Sequence, residues 1–190
     1  MMWLWQVAAF SAFAALAVHA QEEGGKFTWQ AIQAGGRSFS PNLGMMNSER
    51  DQYATNFANL AANRVVQAKA SPASLDQARR FLALALHLSP RNKRAVIVNF
   101  QLSQGILPEL AGQDLGPEAM AKLIFARAGL LAKQEGEENA LAARFFTEPA
   151  AQLDPKNEDA VYASEVQRLD HGEADWSLLT GQQAAVQKSP

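Results

Sequence analysis

The stretch LHLSPRNKRAV, Leu86 to Val96, returns further on as AQLDPKNEDAV, Ala151 to Val161. Each copy runs from an apolar helix end through a small polar residue, Pro, a basic residue, Asn and two charges to Ala-Val. Proline has no backbone donor and stops the helix that precedes it, while Asn92 or Ser89 can cap the helix that follows. The same helix–turn–helix joint is thus written twice. A chain punctuated this way folds as packed helix pairs, and no alternating apolar run of the kind a strand needs occurs after residue 50.

The intervening residues supply the helices. Ser48 is placed to cap a first helix, with Asp51 near its positive end and Tyr53, Phe57, Leu60, Ala61 and Val65 on one face. The SPAS run, Ser71 to Ser74, breaks it. Ser74 followed by Gln77 is a second capping pattern, opening a helix striped by Leu75, Ala78, Leu82, Ala85 and Leu86. Phe81, Leu84 and Leu88 widen that stripe, so this helix should be covered on more than one side. A third helix is expected from Lys93 to about Gln104. Residues 105–116 hold three Gly and one Pro and read as a loop. Pro117 then sits in the tolerated first turn of a helix running to about Gln134. After Gly136 come a helix from about Glu138 to Gln152, with Pro149 counting against its last turn, and another from Pro155 to about Leu169. The turn Asp170-His171-Gly172 leads to a last helix from about Ala174 to Val186. Residues 21–46 carry five Gly and one Pro with no helical period and read as an irregular arm. Phe27, Trp29, Ile32 and Phe39 are too many large apolar groups for a free linker, so some should dock on the body.

Upstream of the two joints a spacing recurs. Ala78, Leu82, Ala85 and Pro90 match Ala143, Thr147, Ala150 and Pro155, with polar Thr147 in the large-residue slot. Pro90 and Pro155 stand 65 residues apart (155 against 90), close to twice the roughly 34 residues of a tetratricopeptide repeat (TPR). These positions resemble the second half of that repeat. The resemblance covers residues 59–92 and 124–157 as whole repeats, a unit beginning at Lys93 that loses its second helix to the 105–116 loop, and a truncated unit from Glu158. The first half of the family motif is poorly kept: Ala62, Val65-Val66 and Lys69 stand in its place in one repeat, and Arg127, Leu130-Leu131 and Gln134 in the other. What the resemblance implies is an all-α domain over residues 47–190, an αα-hairpin repeat forming a TPR-like right-handed solenoid of about three to four degenerate repeats. It also implies a concave face, made by the first helix of each pair, that takes an extended peptide or a partner helix. The resemblance places Asn63, Gln67, Arg94, Ile97, Gln101 and Tyr162 on that face. Asn63 and Gln67 are four apart and share a helical face, and with Arg94 they read as an amide-plus-cation pocket for a peptide backbone or carboxylate.

Composition narrows the chemistry. The absence of Cys removes thiol catalysis, an acylated Cys anchor and every Cys-containing zinc site. His87 and His171, the only histidines after residue 20, fall on separate segments, and no G-x-S-x-G, phosphate-binding Gly loop or H-E-x-x-H pattern occurs. No catalytic residue, cofactor or metal site is expected; an enzyme would need a site at the 105–116 loop. Residues 1–94 hold ten Lys or Arg against five Asp or Glu, and residues 95–190 seven against fourteen, so the net charge of −2 hides halves of +5 and −7. The basic cluster Arg79, Arg80, Arg91, Lys93 and Arg94 lacks interleaved aromatics and any overall basic surplus, which argues against nucleic acid as the partner.

The first twenty residues, MMWLWQVAAFSAFAALAVHA, are an apolar run without an acid, Lys or Arg, ending in Val18-His19-Ala20 before polar QEEGGK. That pattern predicts a secretory signal cleaved after Ala20, hence a secreted or periplasmic protein; an uncleaved amino-terminal anchor is the alternative. No second apolar run is long enough to span a bilayer. The expected function is an exported interaction scaffold or adaptor for a protein or peptide partner. The alternative is a structural subunit of a larger cell-envelope assembly, docked through the 21–46 arm.

Overall fold

A computed structural model of the chain describes residues 27–33, 39–41, 43–112 and 116–181. The signal expected at residues 1–20 lies outside these, as does the part after Gly181 of the last helix, expected from about Ala174 to Val186; its described part is helical only over Ser177–Thr180. The described residues form seven helices and no strand: α1 (Asn47–Gln67), α2 (Pro72–Leu88), α3 (Lys93–Ser103), α4 (Pro117–Leu131), α5 (Glu137–Leu153), α6 (Glu158–His171) and the single turn α7 (Ser177–Thr180). No helix among them is long and apolar enough to cross a membrane.

The recurring stretch folds the same way twice. After α2 the amide of Ser89 donates to Ala85 O, the amide of Asn92 to Ser89 O, and Asn92 Oδ1 accepts from the Ala95 amide that opens α3 (3.0 Å). After α5 the amide of Asp154 donates to Ala150 O, the amide of Asn157 to Asp154 O, and Asn157 Oδ1 accepts from the Ala160 amide of α6 (3.2 Å). Even the residues ending the helices share a backbone conformation, φ −140°, ψ 88° at Ser89 and φ −134°, ψ 80° at Asp154. The joint is local chemistry, and the sequence carries all of it.

Other boundaries shift by one cap. α1 begins behind Met46 with no side-chain cap, so Ser48 does not serve as expected. α2 is capped by Ser71, whose hydroxyl accepts from the Ser74 amide while Pro72 occupies the first helical position. Gly136 adopts φ +106°, closed to most side chains, and so separates α4 from α5. α5 runs straight through Pro149. An interior proline costs about 3 kcal/mol or more, but Phe145, Phe146 and Ala150 around it are wholly buried, and two buried phenylalanines alone contribute about 3–6 kcal/mol.

α1 packs antiparallel on α2 and α4 on α5; α3 lies against both α1 and α2, and α6 lies against α5. α5 starts 65 residues after α2 (137 against 72) and α6 starts 65 after α3 (158 against 93). The two hairpins face each other directly across an aromatic layer in which Phe57 meets Phe81 and Phe146, and Tyr53 meets Phe146. Tyr53 Oη donates to Leu123 O, and Arg127 pairs with Glu49. Rising numbers on α4 meet falling numbers on α1, so these two helices run in opposite directions. Successive TPR units, by contrast, keep their first helices parallel, and the expected order would put the α3 unit between the hairpins. Here α3 occupies a different strip of α1: Asn92 donates to Asp51 and Thr55, and Arg94 to Asn59. Once the second helix of the α3 unit is missing, Tyr53 and Phe57 stay uncovered on the other side of α1, and the second hairpin closes over them.

The arm docks as expected, and on this chain's own body. Trp29, Ile32 and Phe39 are buried in the common core. Trp29 Nε1 and the Ile32 amide both donate to Asn99 Oδ1 of α3. Arg79 stacks on the Trp29 ring, 4.7 Å from its centroid, and donates to Gln30 O. Further along, buried Arg50 donates to the carbonyls of Phe39, Ser40 and Leu88, and the Ser40 hydroxyl donates to Glu138.

Candidate functional site

Where α1 ends and α4 begins, the facing hairpins diverge. The ion pair of Arg127 and Glu49 and the contact of Tyr53 with Phe146 hold them together at one end. At the other end the first turn of α4 offers only Glu118 and Ala119 opposite α1. The result is an open cleft of about 500 Å³. Leu60, Phe81 and Leu153 form its apolar floor; Asn63, Arg64, Gln67 and Gln152 stand round its rim, with residues 116–119 as the far wall. Its size falls within the roughly 300–1,000 Å³ of small-ligand and peptide-anchor pockets. One guanidinium, Arg64, is opposed by one carboxylate, Glu118, so the lining has no net charge. The Arg64 Nε donates to Gln77 Oε1 of α2, which ties the group to the neighbouring helix.

Two of the six residues expected to bind a partner, Asn63 and Gln67, are at this cleft; the other four are not. Gln67 is exposed at the rim. Asn63 is 4% exposed, and its amide is occupied: Nδ2 donates to Ala111 O and Oδ1 accepts from the Ala111 amide. It holds Ala111 of the 105–112 segment against α1. Arg94 is half-buried and committed to Asn59 Oδ1 and Glu109 O; burial lowers its pKa from the usual value, with the nearby Glu109 opposing. The guanidinium that lines this cleft is Arg64, one residue along from Asn63. Ile97 is exposed on α3, outside the cleft, and Gln101 on the same helix has its Oε1 buried without a hydrogen-bond partner. Tyr162 is 73% exposed on α6, which packs on the second hairpin. The residues sequence reasoning passed over are Arg64 and Gln152. Arg64 was legible as the neighbour of Asn63, whereas Gln152 reaches the rim only because α5 runs antiparallel to α2.

A second cleft, of about 570 Å³, lies among α2, α5, α6 and the segment leading to α7. Most of its charged side chains have partners within the chain. Arg80 pairs with Glu148 and lies over Trp176, whose Nε1 donates to the same carboxylate; Arg144 donates to Gly172 O, and Arg168 pairs with Glu165. Of the basic cluster in the sequence, Arg79, Arg80 and Arg94 are thus consumed by internal contacts, leaving Arg91 and Lys93 exposed. Among the described residues no three His, Asp or Glu side chains gather closely enough to hold a metal ion. No protein-family model, curated protein or solved structure matches the chain.

Proposed function

We propose that this protein is a non-catalytic interaction scaffold that binds an extended peptide segment, one apolar side chain seated in the cleft between its hairpins. The cleft carries the reading. Its apolar floor suits an aliphatic or aromatic anchor, and the carboxamide of Gln67, with the Oε1 of Gln152, whose Nε2 donates to Glu148, can pair with peptide N–H and C=O. The charge-neutral lining selects against a purely ionic ligand. The helix trios α1–α3 and α4–α6, repeated at 65 residues with the same joint, support a reading of the chain as two degenerate TPR-like units turned face to face. The twenty-residue apolar leader supports export to the periplasm or exterior, with removal after Ala20. Burial of Trp29, Ile32 and Phe39 in the chain's own core weighs against an arm that docks into another assembly.

The test is a displayed library of linear peptides selected on the purified protein, with affinities of the enriched peptides measured by fluorescence anisotropy. Ala119→Trp fills the cleft from an exposed position, and Gln67→Ala with Gln152→Ala strips the rim. Selected peptides should share an apolar anchor and bind each variant at least about tenfold more weakly, with melting temperature unchanged. Undiminished binding to folded Ala119→Trp removes the cleft from the function.

A further inference from the structure

The two clefts have a residue in common. Gln152 lines both, and beside it the same two helices serve each: α5 gives Leu153 to the first cleft and Ala151 to the second, and α2 gives Phe81 to the first and Arg80 to the second. The clefts therefore adjoin across the exposed Gln152 side chain. Its Nε2 donates to Glu148 Oε1 (2.9 Å), one turn back on α5, which lays the carboxamide toward the second cleft.

The charges of that second cleft differ in their partners. Glu148 is saturated by Arg80, Gln152 and the Trp176 indole. Arg168 pairs with Glu165 and feels the Glu173 carboxylate as well. Arg144, half-buried on α5, pairs with no carboxylate among the described residues. Only its Nη2 is engaged there, on the carbonyls of His171 and Gly172 at 3.4 and 3.2 Å. Its Nε and Nη1 are left to face the cleft, and an ionised carboxylate is the acceptor such donors bind most strongly. Arg144 stands eight residues before Gln152 (144 against 152), about 12 Å along the helix axis, a span that an extended chain covers in about four residues.

We infer that a peptide anchored in the first cleft continues over Gln152 into the second, where Arg144 takes an acidic side chain. The ligand is then an extended segment with Asp or Glu about four residues from its apolar anchor. This rests on the peptide-binding reading above and gives that ligand a sequence signature. Ser164, whose hydroxyl has no partner among the described residues, lines the second cleft and is available to the peptide backbone.

The experiment takes the peptides enriched on the purified protein and measures them by fluorescence anisotropy against the parent, Arg144→Gln and Arg144→Glu, each shown to be folded by circular dichroism. The enriched sequences should carry an acidic residue at that spacing. Replacing it by glutamine in the peptide, which leaves the protein untouched, should weaken binding about tenfold. Arg144→Gln should weaken the acidic peptide to the same extent and leave the glutamine peptide unchanged, and a lysine peptide should bind Arg144→Glu better than the parent. Peptides that are lost to Ala119→Trp yet indifferent to both the acidic residue and Arg144 overturn this inference and leave the first cleft as the working site. A library that yields no binder, or binders undiminished by Ala119→Trp, removes the first cleft from the function and this inference with it.

Discussion

Replacing Arg50 by Leu should release the arm. Arg50 is 6% exposed and donates Nε to Leu88 O (2.9 Å), Nη1 to Ser40 O (2.9 Å) and Nη2 to Phe39 O (2.6 Å). Burial pushes its pKa below the usual arginine value, with Glu138 acting in the opposite sense. Three hydrogen bonds from a charged donor contribute about 1.5–3 kcal/mol each, so the gross loss is roughly 4–9 kcal/mol. Against this stands the cost of burying a cation, several kcal/mol, which the Leu variant no longer carries. The carbonyls of Phe39 and Ser40 belong to an irregular segment that can lift into water, which keeps the remainder at the lower end. The expected destabilisation is about 2–4 kcal/mol, measured by urea unfolding followed by circular dichroism. Arg50→Lys should also destabilise, since one ammonium group cannot span three separated carbonyls. The Phe39 amide, which donates to His87 O, should lose hydrogen-exchange protection in Arg50→Leu before the helices do. A variant as stable as the parent would mean that desolvation cancels the three bonds and that the arm is held by its apolar side chains alone.

Leu82, wholly buried on α2, should cost about 2–5 kcal/mol as Leu82→Ala, and an unchanged melting temperature would remove it from the core. Thr147→Val keeps the volume but removes the hydroxyl that donates to Ala143 O and accepts from Gln167 Nε2 of α6. A loss of about 1 kcal/mol is expected, with exchange increased along α6, and a more stable variant would contradict it. Burial raises the pKa of Tyr53, the hydrogen bond from Arg127 acting against the shift. Because the folded-state pKa lies above the unfolded one, this contribution to stability is full below about pH 10 and declines as pH rises through the folded pKa. Tyr53→Phe should flatten the alkaline loss of stability, and an identical profile above pH 10 would place that loss elsewhere.

The sequence by itself determined what is decided within a few residues of the chain. Pro90 and Pro155, Asn92 and Asn157, and the apolar stripes around them specify helices and two identical joints, because caps, proline and i, i+4 burial act locally. It also showed that some of Phe27, Trp29, Ile32 and Phe39 must find cover, though not which or where. Only the tertiary structure decided that the second hairpin lies directly on the first with α4 opposite in direction to α1. That choice rests on Tyr53, Phe57, Phe81 and Phe146, drawn from three helices, excluding water together. The same long-range burial turned Asn63 toward Ala111, drew Arg94 to Asn59, brought Gln152 to the rim beside Gln67 and left α3 with a bare face. A pattern of spacing records which side of a helix is apolar. Which surface covers that side is settled by the competition among all apolar faces in the folded chain, a property of the whole molecule that no single stretch contains.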